Sequence, residues 1–260
     1  MAELPQFEAP PVREIVVAVQ FVPLAQFGAR EALSAARAFE GWELVDVLPA
    51  LAPIVETPSG VAAGQSLRLG LGTPPQRVVL RSPSGHQLAQ VQQDRVAAHQ
   101  RRDDQPPSFA TARALLQAVV QRASAGLQRT LLEFPHESEL IEVIYDNTVC
   151  IGHDPADLHR LLRIVDANPG DQPYDRVEQI RVGFTYVLRE KQEFRGRLHV
   201  IAEPLLVPGE HPAVRLQLIC RRIVGDQALD SVLAQSHVDI VRAFTAVTTE
   251  EMHHQWHRTR

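Results

Sequence analysis

The chain has little cysteine, no long apolar run and few aromatic residues. Each shortage narrows what it can be. Its two cysteines, Cys150 and Cys220, show no C-x-x-C spacing, so neither a disulfide framework nor a zinc site is expected. Both sit in apolar, strand-like runs and are expected to be buried, inert thiols. No stretch of about 18 apolar residues is present, so no membrane span is expected. The start, Met1-Ala2-Glu3-Leu4-Pro5, lacks the basic and apolar regions of a signal peptide, which leads to an expected cytoplasmic location. A formal charge of −5 over 260 residues argues against a protein dominated by phosphate contacts, because nucleic-acid affinity rests on clustered lysine and arginine.

Catalytic signatures are missing as well. There is no G-x-x-x-x-G-K-[ST], G-x-S-x-G or H-E-x-x-H. Gly70-Leu71-Gly72 carries Pro75 where a dinucleotide loop needs its third glycine. No cofactor is therefore expected. His253 and His257 lie four apart on an expected terminal helix, but no third ligand accompanies them, so they are read as solvated and no metal is expected.

What is present is a hydrophobic fraction of 45%, enough for a substantial core, and 19 prolines spread along the chain, which mark defined breaks rather than low complexity. Residues 12–22 read as a strand. An Ala-rich helix over 25–39 follows, with Leu33 and Ala36 on its inner face. Short strands are expected over 66–71, 76–81, 87–92 and 96–101, joined by turns too short for parallel crossovers. Ser108 can cap a helix over 108–131 striped by Leu116, Val120, Ala123, Leu127 and Leu131.

A second cycle starts with a strand, or a hairpin about Asp146-Asn147, over 140–151. A helix opened by Asp154-Pro155 carries Leu158, Leu161, Leu162 and Val165 and stops at Asn168-Pro169-Gly170. Strands over 177–189, 197–207 and 213–224 follow, the last two joined by a turn at 208–212. The helix over 226–247 precedes a capping box, Thr248 with Glu251, and a short terminal helix.

The same element order occurs twice, which predicts an α+β protein of two successive units, 1–135 and 136–260. Each unit would lay a long helix on its own antiparallel sheet. The topology resembles the TATA-binding-protein or helix-grip arrangement, and this is an analogy of topology alone.

Polar residues inside expected strands are the candidate binding residues: Glu14, Gln20, Gln90, Gln92, Asp94 and Arg95. Any that faces the interior must find a partner, and a contact between Glu14 and Arg95 is one such pairing. Arg215, Arg221 and Arg222 read as edge-strand charges that discourage aggregation.

The segment from Pro10-Pro11 through Glu14 to Phe21, then Gln90-Val91-Gln92-Gln93-Asp94-Arg95, then Met252-His253-His254-Gln255-Trp256-His257-Arg258 resemble the marks of a sporadically distributed, uncharacterised bacterial protein family. Order and spacing agree over nearly the whole chain, although His257 stands where members carry glycine. The resemblance adds Trp256 and Arg258 to the candidate residues and implies a bacterial source. It supplies no reaction.

The leading expectation is a non-enzymatic module that binds another protein, in an accessory antitoxin, immunity or defence-associated role. The alternatives are a small-ligand binder or enzyme using a groove between the units, with Glu14, Arg95 and Trp256 converging there, and a weak nucleic-acid binder on a saddle of sheet.

Overall fold

The computed structural model describes residues 3–25, 27–59, 76–128, 131, 138–151, 157–165, 180–205 and 213–260. The first half of the chain forms β1 (Val12–Phe21), α1 (Ala29–Arg37), β2 (Glu43–Pro49), β3 (Gln76–Arg81), β4 (Gln87–Gln92), β5 (Arg95–Arg101) and α2 (Phe109–Leu127). The second half forms β6 (Ser138–Cys150), α3 (Leu158–Leu161), β7 (Val182–Glu190), β8 (Glu193–Leu205), β9 (Ala213–Ile223), α4 (Leu229–Val247) and α5 (Glu250–Gln255). The strand expected over 66–71, the Gly70 to Pro75 segment, the helix start at Asp154-Pro155 and the turn at 208–212 lie outside the described residues; the helix expected to run through Leu162 and Val165 to 168–170 instead ends at Leu161, because Leu162 is extended and bridges to Thr248.

Local chemistry accounts for the breaks. Ser108 Oγ accepts the Thr111 N–H at 3.1 Å and caps α2. The β3–β4 connection turns at Gly85, whose φ of +78° suits glycine. In β8, a Cβ on Gly196 would lie 2.0 Å from the Arg221 carbonyl oxygen, so only glycine lets this strand close on β9.

The expected pair of separate sheets does not form. Among the described residues there is one nine-stranded antiparallel sheet in the order β2-β3-β4-β5-β1-β6-β9-β8-β7. The reason is that the opening strands of the two halves pair with each other: β1 and β6 run side by side from Val12 opposite Asn147 to Phe21 opposite Ser138. Neither strand is an edge, and the ladder runs unshifted from Glu14 to Gln20, with a register shift at each end. Likewise no hairpin breaks β6 at Asp146-Asn147, because β1 on one side and β9 on the other hold it extended. β9 is itself interior, which removes the edge-strand explanation for Arg215, Arg221 and Arg222.

The described helices gather on one face. α1 packs on β3 and α2, α2 on β5 and β1, and α4 on β9 and β6. One core cluster runs beneath them through residues of both halves, including Ile15, Val17, Val19, Leu80, Val96, Leu116, Val143, Leu216, Leu218 and Phe244. In α1 the buried residues are Ala32 and Ala35, with Ala36 partly buried against the same core; Leu33 is exposed, because an alanine face allows α1 to sit close to Gly126 of α2. Of the cysteines, Cys220 is buried, its thiol pushed up to about 12 by burial, whereas Cys150 is exposed at the end of β6.

The terminal helix starts one residue later than expected, with Thr249 accepting from the Met252 N–H. Thr248 Oγ1 instead donates to the Phe244 carbonyl and shares a hydrogen bond with His253 Nε2. His253 is buried, and His257 lies beyond α5 with a φ of 53°, so the two histidines share no helix face.

Candidate functional site

Strand periodicity divides β1 between two environments. Ile15, Val17, Val19 and Phe21 lie under the helices, while Glu14, Val16, Ala18 and Gln20 turn to the opposite face, which no described helix covers. Antiparallel register then decides what joins them. Arg95 lies opposite Gln20, Ala97 opposite Ala18, His99 opposite Val16 and Arg101 opposite Glu14. On the other flank Glu142 lies opposite Ala18 and Asp146 opposite Glu14. Arg221 follows opposite Glu142, and Arg197 opposite Arg221. Val16, Ala18 and Ala97, with Ile144 against them, make a small apolar floor within this polar face.

The chain itself crosses the face. After β2, residues 51–57 pass over β4, β5 and β1 toward β8, held by side chains that grip the main chain. Gln92 receives the Leu51 N–H on Oε1 at 3.0 Å and donates from Nε2 to the Leu51 carbonyl at 3.1 Å. Gln20 does the same for Ile54, at 2.7 and 2.9 Å. Between them Arg95 Nη2 donates to the Ala52 carbonyl at 3.1 Å and to Gln20 Oε1 at 3.0 Å.

The far end of this strap is ionic. Arg197 donates to Glu56 Oε2 at 2.5 Å and to the Thr57 carbonyl at 2.6 Å. His199 Nε2 and Arg221 Nη1 lie 3.6 and 3.9 Å from Glu56 Oε1. The Glu56 side chain is 4% exposed. Burial raises its pKa, but the His199 contact and the hydrogen bond from Arg197 outweigh that and hold the carboxyl below its ordinary value. Burial pulls the Arg95 guanidinium below its usual range, with Glu142 and Asp94 opposing.

The sign of the Glu56 shift yields a pH prediction. A carboxylate whose pKa is depressed in the docked state stabilises that state above the undocked value, here the ordinary 4.5. The stabilisation is lost as pH falls through the docked value below it. The Leu51 and Ile54 amide resonances are therefore expected to shift and lose exchange protection below pH 4.5, while Val17 in β1 keeps its protection; a strap unchanged across that window would exclude Glu56 as its anchor.

Glu14, Gln20, Gln90, Gln92 and Arg95 are thus brought to one face. The expected contact between Glu14 and Arg95 does not form, because their register positions differ: Glu14 bonds His99 Nδ1 at 2.7 Å and lies 3.5 Å from Arg101 Nε. Gln90 links Arg77 to His99, at 3.1 Å on each side. Asp94 sits in the β4–β5 turn, fully buried, where Oδ1 accepts from Gln92 Nε2.

Trp256 and Arg258 are elsewhere. Trp256 is buried on the helical side against Phe244 and Phe7, at ring distances of 5.0 and 6.1 Å, and Arg258 forms a backbone bridge to Phe7. Glu14, Arg95 and Trp256 therefore share no groove.

Sequence reasoning missed Glu56, Glu142, Arg197 and His199, and read Arg221 as an edge-strand charge. The available signal was alternation: residues 197, 199, 201 and 203, and 215, 217, 219 and 221, are polar more often than their neighbours. Every arginine of this second group meets a carboxylate, with Arg221 on Glu142 at 2.7 Å and Arg215 on Asp146 at 2.5 Å. Among the described residues no group of three or more His, Cys, Asp or Glu side chains is placed to hold a metal ion, and no helix is long and apolar enough to cross a membrane.

No protein-family model matches the chain, and no curated protein does.

Proposed function

We propose that the protein is a non-enzymatic module that binds an extended segment of another protein on the face of its sheet opposite the described helices. The observation that carries this reading is the grip on residues 51–57. Two glutamine amides each engage both the N–H and the C=O of one residue, and Arg95 takes a third carbonyl. Such contacts recognise a main chain whatever its side chains, as peptide-binding sheets do. A partner's segment would take the place of the protein's own strap.

Arg101, Arg197, Arg215 and Arg221 of the face are paired with Glu14, Glu56, Asp146 and Glu142, which reduces the positive charge open to a phosphate backbone. Membership of the sporadically distributed bacterial family, and the accessory antitoxin, immunity or defence-associated role, belong to the same proposal.

The test is purification of the tagged full chain from its host at endogenous level, beside a Gln20→Leu, Gln92→Leu double variant. A specific co-purifying protein, reduced at least about ten-fold in a double variant that retains a cooperative melt, is the expected result. A chain recovered alone, or a partner held equally by the double variant, overturns the reading.

A further inference from the structure

A second feature lies on the other side of the sheet, between α2 and α4. There a cleft of about 560 Å³ is walled by Phe7, Val12, Ile15, Phe109, Ile240 and Phe244, and among the described residues no Asp, Glu, Lys or Arg lines it. Clefts of this size and apolar character accommodate small molecules.

Five polar side chains interrupt the apolar lining: Gln6 and Ser108, and on the β6 and α4 walls Tyr145, Asn147 and His237. Tyr145 Oη and His237 Nδ1 are hydrogen-bonded at 2.8 Å, and burial keeps both groups neutral, raising the phenol's pKa and lowering the imidazole's. The His237 ring lies flat on Phe109, with centroids 4.5 Å apart and planes 3° from parallel. Asn147 is 1% exposed and anchored through Nδ2 to the Leu216 carbonyl at 2.8 Å. Its Oδ1 is buried and has no hydrogen-bond partner. A buried amide oxygen left unpaired costs about 1–3 kcal/mol, so a donor that enters the cleft gains that much over an isostere without one.

We propose that this cleft binds a small, uncharged, largely apolar molecule, and that an N–H or O–H of that molecule donates to Asn147 Oδ1. The apolar walls and the flat His237–Phe109 stack suit a ring system. With no charged side chain among the described lining residues, an anion or a cation would be desolvated there without a counter-charge. This site is independent of the strap-bearing face, so failure of either reading leaves the other standing.

The experiment titrates the full-length protein with three probes: indole, its oxygen isostere benzofuran, and indole-3-carboxylate, read by calorimetry and saturation-transfer NMR. Indole is expected to bind about ten-fold more tightly than benzofuran, and the carboxylate not to bind. Asn147→Leu should bring indole and benzofuran to within about two-fold of each other. Val241→Trp, at a half-buried position in the cleft wall, should abolish both and carries the test if Asn147→Leu does not fold. Equal affinities for indole and benzofuran in the wild type, binding that survives Val241→Trp, or no binding at the probes' solubility limits overturns the proposal.

Discussion

Glu56→Gln is expected to speed hydrogen exchange at the Leu51 and Ile54 amides by about 30-fold, with no change at Val17 in the centre of β1. These two amides are unusual reporters because each donates to a glutamine side chain, not to a strand neighbour. They exchange when the strap lifts, whereas Val17 exchanges only when the sheet opens. Glu56 holds the far end through Arg197, with Arg221 and His199 close by. Removing its charge forfeits a hydrogen bond between ionised groups, worth about 2 kcal/mol, and 1.4 kcal/mol is a factor of ten in the opening equilibrium. Exchange at Leu51 and Ile54 that matches the wild type would place the anchor of the strap in the glutamines alone. A partner that competes with residues 51–57 should, by the same shift, bind the Glu56→Gln protein more tightly.

The second large effect concerns the helical side. Arg222 is the arginine of β9 that turns under α4, where Nε and Nη2 both donate to Asp239 Oδ2, at 2.9 and 2.5 Å. Its side chain is 8% exposed. Asp239→Ala would leave a buried guanidinium without a counter-ion, and breaking a buried pair on one side costs about 3–5 kcal/mol. At roughly 2–4 °C per kcal/mol for a domain of this size, the melting temperature should drop by about 10 °C. Arg222→Leu, which removes the charge together with the need for a partner, should restore most of that loss in the Asp239→Ala background. A double variant no more stable than the single one would assign the loss to α4 itself.

Much of the candidate site follows from a period of two. In β1, Glu14 and Gln20 are separated by an even step, as are Gln90 and Gln92 in β4, so each pair must share a face once the strand forms. That alternation was legible. Which strand lies beside which was not, and it governs the partners: Arg95 meets Gln20, and Glu14 meets His99, because β5 and β1 pair in one register and not another. Glu56 was beyond reach for a different reason. It stands in an irregular segment with no period, and its meaning comes from residues roughly 140 positions later that share only space with it. Trp256 and Arg258 drew attention through motif resemblance, yet they tie the chain's end to Phe7 and Phe244 within the helical layer.

By itself, then, the amino-acid order determined the elements: the strands over 76–81 and 87–92, the Ser108 cap, the antiparallel meanders and the long amphipathic helices. Each depends on torsional preference and on side-chain spacing within a few residues. Tertiary structure alone decided that β1 and β6 join two expected sheets into one, that a charged face is crossed by the chain's own strap, and that a neutral cleft opens between α2 and α4. Those outcomes depend on which surfaces can bury each other and which charges can find counter-charges. Both are settled between segments far apart in the chain, where no local pattern records the choice.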